Sequence, residues 1–327
     1  MIIDITKLPK KLNEICYFKK QEKGVKIFNY SSKTKDTMMI IELEECEIEK
    51  DFAITGATLE MVRKLSPVKK LEIVNNKLVI TSDKGTYKGT IIDEVLSLPN
   101  TSALNSVKVN LKALKVLSEF VADNDKKPVL CGVNIKSNGT MVATDSFKLA
   151  RYLSAETTNN NENIIIPKNF IDLIKNETDE EIELSYNMSA VIYTKENITY
   201  ISNLIGGNYP NVDRLFSEGN LKIDYEMDIL KQALDLARNV GVEVGKDRYL
   251  PLVFESGKLI ANGVNEFETV LNEDNKLTYK FALNIDSLDL VIKNIDSNIV
   301  EFDYIADNKP LFVKDNGIEY ILLPIKM

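Results

Sequence analysis

With 327 residues the chain is too long for one ordinary hydrophobic core and suits two or three domains. Its 44% hydrophobic and 28% charged residues are those of globular material, and no apolar run approaches the roughly eighteen residues of a membrane span, so a membrane partner is not expected. The net charge of −8 argues against a general nucleic-acid binder, and the absence of histidine removes the commonest general base and metal ligand.

The opening Met1-Ile2-Ile3-Asp4-Ile5 lacks a basic region followed by an apolar stretch, so a cytoplasmic location is expected rather than export. Residues 5–18 are read as a first helix with its flanks, Pro9 being tolerable near a helix start. Cys16, Cys46 and Cys131 are odd in number and far apart, which disfavours a disulfide framework or zinc site and suits small core residues in a reducing compartment. Leu59-Glu60-Met61-Val62 sits at the centre of a short amphipathic helix, and Leu71-Glu72-Ile73 alternates as a half-buried strand does. A hairpin turn follows at Asp83-Lys84-Gly85, and residues 97–103 read as an exposed linker.

The series then returns. Residues 109–117 have i, i+3, i+4 apolar spacing, after which Met141-Val142-Ala143 and Lys148-Leu149-Ala150-Arg151-Tyr152 flank a corner at Thr144-Asp145-Ser146. Residues 157–163 form a polar loop, Ile164-Ile165-Ile166-Pro167 a strand, Ile171-Asp172-Leu173-Ile174 a helix centre, Ile182-Glu183-Leu184 a strand and Lys195-Glu196-Asn197 a turn. Beyond a linker at residues 217–220 the order repeats: a helix over residues 227–234, another centred on Leu288-Asp289-Leu290-Val291, a strand at Val300-Glu301-Phe302 and a turn at Asp315-Asn316-Gly317. The three second helices are spaced 112 and 117 residues apart. The expectation is an α+β chain of three repeated domains, 1–103, 104–216 and 217–327, each with two helices on one face of a largely antiparallel sheet.

Basic residues concentrate where the helices are. The six helical segments with their flanking turns carry +3, +3, +2, 0, 0 and −2, a total of +6 against −14 for everything else. Such lysines are either solvated helix faces or a helix-lined surface turned toward a polyanion. No GxxxxGK[ST] or GxGxxG phosphate loop is present, and no paired-carboxylate constellation is specific enough to name, so no enzyme, catalytic residue, cofactor or metal is expected.

The corner resembles a known one. Val142-Ala143-Thr144-Asp145, followed by two residues and then Lys148, Leu149 and Ala150, is similar to the middle-domain corner of bacterial sliding clamps, the β subunit of the replicative DNA polymerase. Gly206-Gly207-Asn208-Tyr209-Pro210-Asn211-Val212-Asp213-Arg214-Leu215 resembles that family's aromatic-Pro-x-x-x-Arg segment, and Tyr320-Ile321-Leu322-Leu323-Pro324-Ile325-Lys326-Met327 its apolar-Pro-apolar-basic-apolar tail. The resemblance implies a head-to-tail homodimer closing into a ring, with helices lining a channel around double-stranded DNA and sheet outside. It further implies phosphate contacts without base readout, tethering of a polymerase, and opening by an ATP-driven clamp loader. Lys7, Lys10, Lys11, Arg63, Lys64, Lys112, Lys115, Lys126, Lys127, Lys231 and Arg238 are the candidate DNA contacts.

By the same resemblance, Leu130, Thr144, Ser146, Phe147, Lys148, Leu149, Pro210, Arg214, Leu215, Ile321, Leu323, Pro324, Ile325, Lys326 and Met327 would line a pocket for a short partner peptide with leucine and aromatic anchors. As a strand, the tail would turn Ile321, Leu323 and Ile325 one way and Leu322 the other. Two departures stand out: Ser146-Phe147 occupies the place of the family's usual Gly-His, and the chain is shorter than the usual clamp, mostly in the first domain. The competing reading is a three-domain, β-rich structural or assembly protein without DNA, for which the helical lysines are merely solvated.

Overall fold

The computed structural model describes residues 14–326 apart from 32–33, 45–47, 49, 66–67, 95, 97, 99, 103, 124–125, 155–162, 218, 242–249 and 273–276. In chain order the first elements are β1 (Ile15–Lys20), β2 (Val25–Ser31), β3 (Thr34–Leu43), β4 (Phe52–Thr55), α1 (Gly56–Leu65), β5 (Val68–Val74), β6 (Lys77–Ser82), β7 (Gly85–Thr90) and β8 (Asn105–Asn110). There follow α2 (Leu111–Leu117), β9 (Gly132–Ile135), β10 (Met141–Thr144), β11 (Lys148–Tyr152), β12 (Ile164–Pro167), α3 (Lys168–Ile174), β13 (Glu181–Tyr186), β14 (Ala190–Lys195) and β15 (Ile198–Asn203). The last are β16 (Leu221–Glu226), α4 (Met227–Ala237), β17 (Pro251–Glu255), β18 (Lys258–Asn262), β19 (Glu266–Val270), β20 (Lys280–Asn284), α5 (Ile285–Ile292), β21 (Ile299–Tyr304), β22 (Leu311–Asp315) and β23 (Ile318–Leu322).

Each of these five helices starts at the residue after a strand, so the strand's last residue must also cap the helix. Asn110 and Asn284 do so with side-chain oxygens that accept from Ala113 N and Asp286 N, both at 2.8 Å. Thr55 serves α1 in the same manner, its Oγ1 accepting from Thr58 N at 3.2 Å. The apolar spacing then buries one face of each helix. Leu111, Leu114 and Leu117 do this in α2, Met227, Leu230 and Leu234 in α4, and Ile285, Leu288 and Ile292 in α5. Each fully buried leucine or isoleucine contributes about 1.5–3 kcal/mol relative to exposure.

Two compact units are present, 1–109 with 166–206 and 110–165 with 207–327, so the middle repeat contributes its front half to one and its back half to the other. The first holds an eight-stranded sheet of order β4-β1-β2-β3-β15-β14-β13-β8 and a three-stranded sheet, β5-β6-β7. The second holds an eight-stranded sheet of order β12-β9-β10-β11-β23-β22-β21-β16 and a four-stranded sheet, β19-β18-β17-β20. In both long sheets the central seam joins strands remote in sequence. β3 pairs antiparallel with β15 from Thr37↔Ser202 to Ile41↔Ile198, and β11 with β23 from Lys148↔Leu322 to Tyr152↔Ile318.

Several expectations need correction. The end of the expected first helix is strand β1, because Ile15, Cys16, Tyr17 and Phe18 are β-formers that pair with β2 on one side and β4 on the other; residues 5–13, Pro9 among them, lie outside the described residues. Val109 and Asn110 close β8 rather than open α2. The tail leaves the sheet after Leu322, since Pro324 has no N–H to give a ladder and the Ile325 N–H donates to Ala282 O at 2.8 Å. Cys16 is buried, whereas Cys131 is half-buried; Cys46 and residues 157–162 lie outside the described residues.

The β11–β23 seam carries an ion pair set by its register, for Arg151 lies directly opposite Glu319. Arg151 Nε donates to Glu319 Oε2 at 2.8 Å, and the guanidinium stacks 3.4 Å from the Phe216 ring centroid. Burial alone would raise the Glu319 carboxyl, but hydrogen bonds from Arg151 and Lys314 outweigh it and hold the group below its usual range. A lowered folded-state pKa adds stability above the unfolded value and loses it as pH falls through the folded one. The stability gap between the native chain and Glu319→Gln is therefore expected to be constant near neutrality and to close below about pH 4.3, the ordinary glutamate value, in denaturant titrations at stepped pH. A gap that persists unchanged to lower pH would contradict the assignment.

Candidate functional site

The corner between β10 and β11 is built by its own side chains. Asp145 Oδ1 accepts from the Phe147 and Lys148 N–H groups, both at 2.8 Å, and its other oxygen takes the Lys148 ammonium. Thr144 Oγ1 donates to Lys148 O at 2.7 Å and accepts from Ser146 N at 3.1 Å. The Thr144 N–H donates to the Tyr209 hydroxyl at 3.0 Å, fastening the segment around residues 208–215 to the corner. Burial pushes the Tyr209 phenol well above its ordinary range, the Thr144 bond opposing, so the phenol is neutral at physiological pH. From the other side the Leu323 N–H donates to Phe147 O at 3.1 Å, so the C-terminal segment joins the same corner.

These three segments enclose an open, mainly apolar cavity of about 560 Å³. Its floor is a core of Val142, Leu149, Val212, Phe312 and Ile321, with Tyr209, Phe216 and Ile305 packed against it. The rim is less covered: Phe147 is 71% exposed, Leu215 50% and Leu323 42%. Large apolar groups left facing water around a concavity mark a surface that gains free energy when something covers it. Gly207 makes a close approach possible, since its φ is +121° and a Cβ there would meet Val129 Cγ1 at 2.8 Å.

Of the pocket residues read from the sequence, Leu130, Thr144, Ser146, Phe147, Lys148, Leu149, Pro210, Leu215, Ile321 and Leu323 line this cavity. Arg214 is exposed on a short 3-10 turn, Asp213–Leu215, and is not part of the lining, and Pro324, Ile325 and Lys326 leave it where the tail turns toward β20. Met327 lies outside the described residues. The sequence reading missed Val129, Asn208, Asn211 and Val212 and gave Lys127 another role. Val129 and Asn211 adjoin residues that were selected, and Lys127, Asn208 and Val212 lie two or three positions from one, so following the two segments residue by residue would have included them.

The proposed DNA contacts divide differently. Lys7, Lys10 and Lys11 lie outside the described residues, as does the Arg63 side chain. Lys64, Lys126 and Lys231 are exposed, and Lys115 is half-buried. Lys112 pairs with Asp296 at 2.6 Å, and Arg238 with Asp289 at 2.9 Å and Asp286 at 3.5 Å, so carboxylates already offset part of their charge. Lys127 lies on the cavity rim, where its ammonium is 3.4 Å from Ser146 Oγ. Among the described residues no group of three or more acidic or cysteine side chains could hold a metal ion, and no helix is long and apolar enough to cross a membrane.

A family model described as the central domain of the DNA polymerase III beta subunit matches residues 106–211, the stretch that carries the corner and reaches Asn211. Beta sliding clamps of Staphylococcus aureus and Staphylococcus epidermidis are each 29% identical to the chain, over 296 and 293 residues, covering 82% of this chain and 78% of theirs. The chain is similar to the bacterial sliding clamps. The sliding clamp of Bacillus subtilis shares its fold with a TM-score of 0.80 at 18% identity, over 96% of this chain and 91% of that one. The beta subunit of Borrelia burgdorferi does so with a TM-score of 0.80 at 16% identity, over 98% and 94%.

Ser146 gives the corner a local strain. Its φ of +84° lies in the left-handed region that costs a non-glycine residue about 1–2 kcal/mol. Ser146→Gly is expected to raise unfolding stability by about 1 kcal/mol, since it removes the strained Cβ and only a weak contact to Lys127 is lost. The urea midpoint measures this, and an unchanged or lowered midpoint would contradict it.

Proposed function

We propose that the chain is a DNA sliding clamp that encircles duplex DNA, without sequence preference, and tethers the replicative polymerase through the pocket at the β10–β11 corner. The observation that carries this reading is the pocket itself: a clamp fold with three segments meeting at an apolar concavity rimmed by exposed Phe147, Leu215 and Leu323. Function is mechanical, and no bond is made or broken. Encirclement makes loss from DNA depend on ring opening, so weak phosphate contacts suffice, and tethering raises the polymerase's effective concentration at the primer end. The domains are 1–103, 104–216 and 217–327, the setting is the cytoplasm, and a loader opens the ring.

Ring closure by a second copy is supported by the sheet edges. The last strand of the first strand set in one repeat pairs with the last strand of the second set in the next, as β3 with β15 and β11 with β23. The strands in these places left without such a partner are β19 and β7. β19 follows its three-residue corner as β11 does, and β7 its two-residue turn as β23 does. Carrying over the β11–β23 register sets Glu268 opposite Tyr87 and Thr269 opposite Thr86 of a second copy, antiparallel. Thr86→Cys combined with Thr269→Cys is expected to give a covalent dimer on mild oxidation, since cross-strand Cα atoms there would stand about 5.5 Å apart. Each single variant should stay uncrosslinked on a denaturing gel. A double variant that behaves like the singles would overturn the register.

The tethering is tested by primer extension on a singly primed circle with loader, ATP and polymerase. The native clamp is expected to lengthen products by tenfold or more (about 1.4 kcal/mol per factor of ten in effective tether strength), and Leu323→Asp to abolish the gain while remaining loaded on the circle. Full stimulation by Leu323→Asp would remove the pocket from the mechanism.

A further inference from the structure

Two cations line the pocket, and their situations differ. The Lys148 ammonium is held by Asp145, with both side chains largely covered. Lys127 is exposed at the rim, and its contact among the described residues is the neutral Ser146 hydroxyl at 3.4 Å, the long end of a hydrogen bond. Among the described residues, Asp145 is engaged with Lys148, and Asp213 with Lys136 at 2.6 Å. The polar side chains Asn208, Asn211 and Thr144 on the lining are uncharged. Among the described residues, the pocket therefore presents an apolar trough with one uncompensated positive charge, beside the exposed ring of Phe147.

We infer that Lys127 is a specificity-determining residue of this site. It selects partner segments that carry a side-chain carboxylate next to the aromatic or leucine anchor packed on Phe147. The inference rests on the reading of the pocket as a peptide site. Extended peptide advances about 3.4 Å per residue, so a glutamate within one or two positions of that anchor reaches the Lys127 ammonium. At an exposed rim such a pair works through selection among partners more than through raw affinity, and it weakens with salt. The corner that positions Phe147 also places Ser146 against Lys127, so apolar anchoring and charge selection come from one turn.

The test uses the full chain and fluorescence anisotropy with two labelled peptides. Both carry leucine and phenylalanine anchors and differ only in glutamate or glutamine beside the phenylalanine. At low ionic strength the glutamate peptide is expected to bind about three- to fivefold more tightly, the upper range for an exposed pair, with the preference shrinking as salt is added. Lys127→Gln should equalise the two peptides, and Lys127→Glu should reverse the order. Equal binding of both peptides by the native chain would overturn the charge selection while leaving the peptide site standing. Absence of binding by either peptide would overturn both.

Discussion

The antiparallel pairing of β11 with β23 is the constraint on which the site depends. A strand edge exposes a row of unpaired N–H and C=O groups, and burying it against a distant strand satisfies them while fixing side-chain register on both faces. Here the register brings the strand after the Thr144 corner against the last strand of the chain. Leu149 and Ile321 stand opposite one another on the same face, and both enter the pocket floor. Arg151 and Glu319, two residues further along β11, lock the seam with a partly buried pair.

From that seam the rest of the pocket follows by short links. The Leu323 N–H reaches Phe147 O because β23 ends one residue earlier, beside the corner. Tyr209 closes the remaining side through Thr144, and Val212 then packs into the same core as Leu149. Order beneath the rim comes from buried apolar contacts. The rim keeps exposed apolar groups and a strained Ser146, both of which cost stability and are characteristic of a surface selected for contact. On the helical side, ion pairs from Lys112 to Asp296 and from Arg238 to Asp289 offset part of the positive charge.

The sequence made much of this visible, unevenly. The five helices were legible from i, i+3, i+4 spacing, and the hairpin turns from residues such as Gly85, Glu196 and Asn316, the last two at φ +53° and +47°. Strand β1 was not, because its apolar run has no helical or alternating period of its own and is covered by β2 and β4, which only the fold brings together. Most of the pocket was legible through the motifs around Thr144, Pro210 and Ile321. That Lys127 lies on the cavity rim was not legible, because a basic pair after a helix looks the same whether it faces a channel or a cavity. The partners of Lys112 and Arg238 were hidden for a related reason, lying on segments remote in sequence. The β3–β15 and β11–β23 seams are likewise long-range, which is why the sequence repeats and the compact units divide the chain at different places.

Retention on circular and linear DNA of equal length tests the central claim most directly. The clamp is loaded with its cognate loader and ATP, washed in moderate salt, and the circle is then cut. The account predicts that the protein stays on intact circles and leaves when the DNA is linearised, since its hold is topological. Equal retention on both forms, or none in the presence of an active loader, would contradict encirclement and favour a structural protein with no DNA to hold.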